Sequence, residues 1–115
     1  MAQGDILRIE FPESNVPGHE QHGQRPAVVI EVELPGSNLP TQLVIPMTSN
    51  LSALRYTSTV KVEPSPRNGL NNTSVALCFQ LRAIDKKRVI STAGTLDAGD
   101  LSRIIAEVKR LLGMS

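Results

Sequence analysis

Arg25 stands directly before Pro26 in the stretch Gly23-Gln24-Arg25-Pro26-Ala27-Val28-Val29-Ile30, and a second polar pair, Thr48 and Ser49, follows Pro46-Met47. Proline biases the residue before it toward an extended backbone. Arg25 is therefore expected at the junction of a loop and a strand, where its guanidinium offers a rigid fork of donors suited to phosphate oxygens. Hydroxyls at the end of another strand can donate to an anion or cap a turn. From spacing alone, these residues are either an anion site shared by two loops or a surface arginine beside a turn-capping threonine. His19 and His22 are the only histidines. A zinc site would need further ligands that this stretch does not offer, so no metal is expected there. Each histidine is then a solvated loop residue or a proton carrier near neutrality.

Missing motifs narrow the chemistry further. The sequence has no glycine-rich phosphate loop followed by Lys-Ser/Thr, no dinucleotide fingerprint and no serine elbow, which excludes P-loop and Rossmann chemistry. Cys78 is the only cysteine, so no internal disulfide or thiolate metal cluster can form, and a reducing compartment, the cytoplasm, is expected. Apolar runs are too short to cross a membrane, and neither a span nor a signal peptide is expected. The net charge is +1, but residues 1–35 hold six acids and two bases while the rest hold five acids and ten bases. The densest basic stretch, Arg82, Lys86, Lys87 and Arg88, is either a solvated face or a polyanion surface.

The elements that must position these groups are short strands. With 115 residues, 40% of them apolar, and no repeat or linker, a single domain over 1–115 is expected. Asp5–Phe11 alternates in polarity, Ala27–Val32 is β-branched, and Gln42–Ile45 is a short buried run expected to stop at Pro46. Tyr56–Glu63, Ser74–Leu81 and Lys87–Ser91 complete the set, with Pro12–Gln24 as a long loop. Leu101, Ile104, Ile105, Val108, Leu111 and Leu112 fall on one face of a helix, with Asp97 as its N-cap and Gly113 as its stop. Short strands at this spacing imply a compact barrel or twisted sheet with the helix as its lid. Phe11, Tyr56 and Phe79 are the only aromatics, so the core must be aliphatic and no aromatic stacking platform for nucleic acid is expected.

Four blocks in register carry a family resemblance: Gly4-Asp5-Ile6; the stretch from Gly18 to Ile30; Pro46-Met47-Thr48-Ser49; and Gln80-Leu81-Arg82-Ala83-Ile84-Asp85-Lys86-Lys87-Arg88-Val89. Together with Gly69-Leu70 and the closing helix, they resemble the MazF/PemK toxin family over nearly the whole chain. The resemblance implies a mainly β fold with a C-terminal α-helix, a small SH3-like barrel of the CcdB/MazF/Kid toxin type, and a homodimer. It also implies a sequence-specific endoribonuclease of single-stranded RNA that uses neither metal nor cofactor and is neutralised by a MazE-like antitoxin with an acidic tail. In that family the RNA 2′-hydroxyl attacks the adjacent phosphate, leaving a 2′,3′-cyclic phosphate and a 5′-hydroxyl, with Arg25 and Thr48 at the catalytic positions.

A guanidinium is a poor base near neutrality. Arg25 is therefore assigned to charge stabilisation and proton donation, and Glu20 or His22 to the base, with Ser49 as a further supporting hydroxyl. Gln21 and Gln24 in the long loop, with Gln80, Arg82, Lys86 and Arg88, are the expected RNA-binding residues. Phe79 departs from the family, whose members often carry an acid there, which questions any substrate role at that position. Two alternatives share the fold: a CcdB-like gyrase poison and a binding module that has lost cleavage.

Overall fold

The computed structural model describes residues 1–12, 23–36 and 38–114. Among them seven strands occur: β1 (Asp5–Phe11), β2 (Gly23–Val29), β3 (Thr41–Thr48), β4 (Thr59–Val62), β5 (Ser74–Leu77), β6 (Arg82–Asp85) and β7 (Val89–Thr95). Short 3-10 turns at Leu51–Arg55, Cys78–Gln80 and Lys86–Arg88 interrupt them, and helix α1 (Ala98–Leu111) ends the chain. The paired strands are antiparallel, in the order β4-β5-β3-β2-β1-β7, and β6 also pairs with β3. Strands β6 and β7 are joined by only three residues, yet they are the outer strands of the path β7-β1-β2-β3-β6. The sheet must curl until those edges meet, which produces the expected small barrel.

The alternation in β1 is used on both faces, because each face of the sheet is covered. Leu7, Ile9 and Phe11 point into the barrel with Ala27, Val29, Val44 and Ile84. Ile6 points outward and joins Val28, Ile45 and Met47 in a second core. That outer core is roofed by Val60 and Val62 of β4, Ala76 and Cys78 around β5, and Ile104 and Val108 of α1. Arg103 clasps the helix to β4, donating to the Lys61 carbonyl at 3.0 Å and pairing with Asp100.

Several local expectations are corrected. β2 begins at Gly23, not Ala27, and ends at Val29, so Arg25 and Pro26 lie within the strand. β3 runs through Pro46 to Thr48. Both prolines are tolerated because neither occupies a position that needs a donor. Ile30 N donates to the Leu43 carbonyl, so by alternation Pro26 N faces β3 beyond the last paired residues, Ala27 and Pro46. Pro46 N faces the other way, into the gap where the ladder passes from β6, ending at Val44–Arg82, to β5, starting at Met47–Ala76.

The single strands expected over 56–63, 74–81 and 87–91 are likewise redrawn. β4 spans only Thr59–Val62, the turn at Cys78–Gln80 separates β5 from β6, and β7 extends to Thr95. Asp97 holds the N-cap position of α1 without a side-chain capping bond. Gly113 (φ +73°) closes the helix with paired bonds from Gly113 N to the Arg110 carbonyl and from Met114 N to the Lys109 carbonyl. Leu111 and Leu112 remain exposed, so the apolar face is buried only as far as Val108. No helix among the described residues is long and apolar enough to cross a membrane.

Candidate functional site

Because β1, β2 and β3 are antiparallel, the end of β1, the start of β2 and the end of β3 lie at one rim of the barrel. Arg25 is registered against Ile9 and therefore shares its inward face. The β2–β3 ladder pairs Val29 with Val44 and Ala27 with Pro46. The pairing stops there, so Arg25 and Thr48 each lie two residues beyond its end on adjacent strands, and Thr48 itself is registered against Val75 of β5. Thr48 is buried, and its Oγ1 accepts from Asn50 N at 3.1 Å, which turns the chain into the segment 51–55.

Arg82 is registered against Val44, and its guanidinium lies 5.3 Å from the centre of the Phe11 ring. At this range over an aromatic face the cation is attracted to the ring quadrupole and held in place. Arg88 reaches the same end of β1, with Nη1 donating to the Glu10 carbonyl at 3.5 Å. The fold thus gathers Arg25, Thr48, Arg82 and Arg88, which are distant in sequence, at one rim. Gln80, half-buried, closes the turn just before β6.

A cleft of about 240 Å³ opens beside this rim on the outward side of the sheet. Gln24, Arg25 and Pro26 of β2 form one wall, with Arg8 of β1 and Ser49 after β3. The opposite wall is the segment Gly69–Asn72. That segment is fixed by Asn68, which is fully buried. Its Nδ2 donates to the Glu63 carbonyl at 2.9 Å, and its Oδ1 accepts from Ser65 N and Leu70 N, both at 3.0 Å. Gly69 (φ +68°) then presses on β7 so closely that a Cβ there would sit 2.1 Å from the Ala93 carbonyl oxygen. Farther along, Thr73 donates to Glu63, and that bond, with Lys61 nearby, holds the Glu63 carboxyl below its ordinary range against the opposing effect of burial.

The sequence-derived residues divide accordingly. Arg25, Gln24 and Ser49 border the cleft, and Thr48, Arg82 and Arg88 lie at the adjoining rim. Lys86 does not join them. Four strand residues from Arg82 to Asp85 span roughly 13 Å, and Lys86 is carried to the far end, where its backbone N donates to the Pro40 carbonyl and its side chain lies near Glu31 and Glu33. Glu20, Gln21 and His22, with His19, lie outside the described residues.

Two features of this region are not evident from local sequence. One is the wall built by Asn71 and Asn72. The other is an exposed aromatic pair, Tyr56 and Phe79, with ring centres 5.5 Å apart and Arg55 lying 4.8 Å over the tyrosine ring. Residues from two separated turns are needed to build this pair, so no local pattern announces it. Cys78 takes no part in the rim or cleft. Burial, aided by the Glu107 carboxylate, pushes its thiol up to about 11, so it stays protonated at neutral pH. Among the described residues no group of three His, Cys, Asp or Glu side chains is placed to hold a metal ion.

Comparison with known proteins gives the family and the fold. Residues 2–112 match the family described as PemK-like, MazF-like toxin of type II toxin-antitoxin system. Endoribonuclease EndoA of Bacillus subtilis is 33% identical over 95 residues, covering 83% of this chain and 79% of the relative. The crystal structure of MazF (Form-I) from Deinococcus radiodurans superposes with a TM-score of 0.77 at 26% identity, covering 99% of this chain and 97% of the other. The MazE-MazF (Form-II) structure from the same organism shares the fold, with a TM-score of 0.74 at 24% identity, covering 100% and 97%.

Proposed function

Because the chain belongs to the PemK-like, MazF-like toxin family of type II toxin–antitoxin systems, we propose that it is an endoribonuclease toxin that cuts single-stranded RNA at the rim formed by Arg25 and Thr48. What supports this reading is the antiparallel order of β1, β2 and β3, which brings the start of β2, with Arg25, and the end of β3, with Thr48, to one rim of the barrel.

The reaction is an in-line transfer in which the 2′-oxygen forms a bond to phosphorus as the bond to the 5′-oxygen breaks. A 2′,3′-cyclic phosphate and a 5′-hydroxyl result. Negative charge grows on the non-bridging oxygens, where the Arg25 fork and the Thr48 hydroxyl would stabilise it. Arg82 and Arg88 add positive potential along the RNA backbone. The 2′-hydroxyl proton passes to Glu20 or His22, in the segment that leads into β2, and the leaving 5′-oxygen is protonated from the Arg25 side. The nucleophile belongs to the substrate, so no metal is required, and DNA, which lacks that hydroxyl, would bind without being cut.

The cognate antitoxin, on this reading, neutralises the rim by laying an acidic segment across it. A homodimer is favoured by the exposed Leu51, Leu54, Tyr56 and Phe79, because apolar surface of this kind marks interaction sites.

The test is incubation of the purified protein and its Arg25→Ala variant with a long single-stranded RNA in EDTA, with cut positions and end groups mapped. Cuts at a short motif with cyclic phosphate ends, lost in the variant, are expected. Absence of cleavage by folded wild-type protein, or equal cleavage by the variant, would overturn the assignment.

A further inference from the structure

Beside the rim, the cleft has a chemistry of its own. Its polar wall is rich in carboxamides, with Gln24 on one side and Asn71 and Asn72 on the other, and among the described residues no carboxylate lines it. Among the described residues, the side chains of Gln24, Asn71 and Asn72 make no hydrogen bond to protein, although Asn71 and Asn72 sit on a segment held rigidly by Asn68 and Gly69. A carboxamide presents a donor and an acceptor in one plane, the arrangement that pairs bidentately with the edge of a nucleobase. Pro26 and Leu70, both only partly buried, supply the apolar surface that a ring can lie against. At about 240 Å³ the cleft is smaller than the roughly 300–1,000 Å³ of drug-sized ligand sites, so it suits one ring system and not a dinucleotide.

We propose that this cleft receives one unpaired base of the RNA, the base next to the phosphate held at the Arg25 rim, and that Asn71 and Asn72 are its specificity-determining residues. The proposal rests on the reading of the protein as a ribonuclease, and it deepens that reading. Sequence-specific RNA recognition works by splaying single-stranded bases out of their stack and reading their edges. Here Arg25 borders both the rim and the cleft, so a chain whose phosphate meets the rim has its neighbouring base at the cleft mouth. Asn71 and Asn72 are exposed and outside the core, so their replacement leaves the fold intact.

Two measurements on Asn71→Ala, Asn72→Ala and the double variant test the idea. In the first, a random RNA pool is cleaved and the cut sites are sequenced. The preference at one position beside the cut should flatten by about tenfold or more, while the other positions of the motif keep theirs. A loss spread evenly over the motif, or an unaltered motif, would overturn the proposal. The second measurement separates this outcome from failure of the nuclease reading, because it uses 2′-O-methylated oligonucleotides that carry no nucleophile. Wild-type protein should bind them with a base preference that the double variant lacks, whether or not unmodified RNA is cut; binding without preference, or none, counts against the cleft.

Discussion

Gly69→Ala separates the cost of a backbone conformation from the cost of a close approach, and Gly36→Ala is its internal control. Both glycines have positive φ, +68° and +77°. At Gly36 an added Cβ meets nothing within 4 Å, whereas at Gly69 it would lie 2.1 Å from the Ala93 carbonyl oxygen and 2.9 Å from its carbon. Forcing alanine into the left-handed region costs about 1–2 kcal/mol, partly offset by the reduced freedom of the unfolded chain. Gly36→Ala should therefore lose about 1 kcal/mol.

Gly69→Ala pays the same conformational cost and must also lift the 65–70 segment off β7, an overpacking penalty of about 1–3 kcal/mol. Flexible side chains cannot relieve it, because the clashing atoms are backbone, and Thr95 N is bonded to the Arg67 carbonyl in the same segment. The total of about 2–4 kcal/mol corresponds to a Tm lower by about 8–16 °C for a domain of this size, against about 4 °C for the control. Thermal unfolding followed by circular dichroism reads both. Equal shifts for the two variants would refute the close-approach argument, and with it the rigidity of the cleft wall.

Three further outcomes are expected. Thr48→Val removes the hydroxyl that accepts from Asn50 N; it should cost about 1 kcal/mol of stability and, in a ribonuclease assay, at least about tenfold in kcat/KM, while Thr48→Ser keeps most of both, so equal activity of the valine variant would remove Thr48 from the chemistry. Cys78 should resist thiol reagents at pH 8 until the protein unfolds. Since folding raises its thiol from 9.0 to about 11, the associated stability is complete below about pH 9 and is lost as pH rises through about 11; the urea midpoint should fall between pH 8 and pH 10.5 more in wild type than in Cys78→Ala, and parallel falls would contradict this. If the exposed patch around Leu54 is a homodimer seam, Leu54→Glu should shift the sedimenting species toward monomer, and an unchanged sedimentation coefficient would refute a seam at this patch.

How far the sequence was legible depended on the range of the contacts involved. The alternation in Asp5–Phe11 and the apolar stripe from Leu101 to Val108 are local patterns, and each became the element it implied. The position of Thr48 at a strand end was also readable, whereas Arg25, read as a junction residue, lies inside β2. Pro46 misled because its missing donor matters only if a neighbour needs it, and the switch from β6 to β5 along β3 is a property of the whole sheet. The break at Cys78–Gln80 was hidden for the same reason: Ser74–Leu81 reads as one buried run, but β5 ends at Leu77 and the strand that pairs with the other stretch of β3 begins only at Arg82. The cleft wall was least visible. Asn68-Gly69 announces a turn, yet what fixes its direction is the fit of Gly69 and Gly94 against each other's segments, a contact spanning some 25 residues of chain.

Strand alternation also explains how one short stretch can serve both chemistry and reading. In β2 the odd residues Arg25, Ala27 and Val29 face the barrel interior, while Pro26 and Val28 face outward with Gln24. In β3, Thr48 faces inward, whereas Met47 and the following Ser49 border the outer cleft. Consecutive residues on each strand thus reach both the rim and the cleft, and Arg25 borders both. On the proposed function, a substitution on the outward set, or on the Asn71–Asn72 wall opposite it, would alter which base is accepted without moving the Arg25 guanidinium. A one-residue slip of either strand would exchange the inward and outward sets. That slip is opposed on both faces, because Ala27, Val29 and Val44 fit the barrel core while Val28, Ile45 and Met47 fit the outer core, so the residues that stabilise the fold also hold its register.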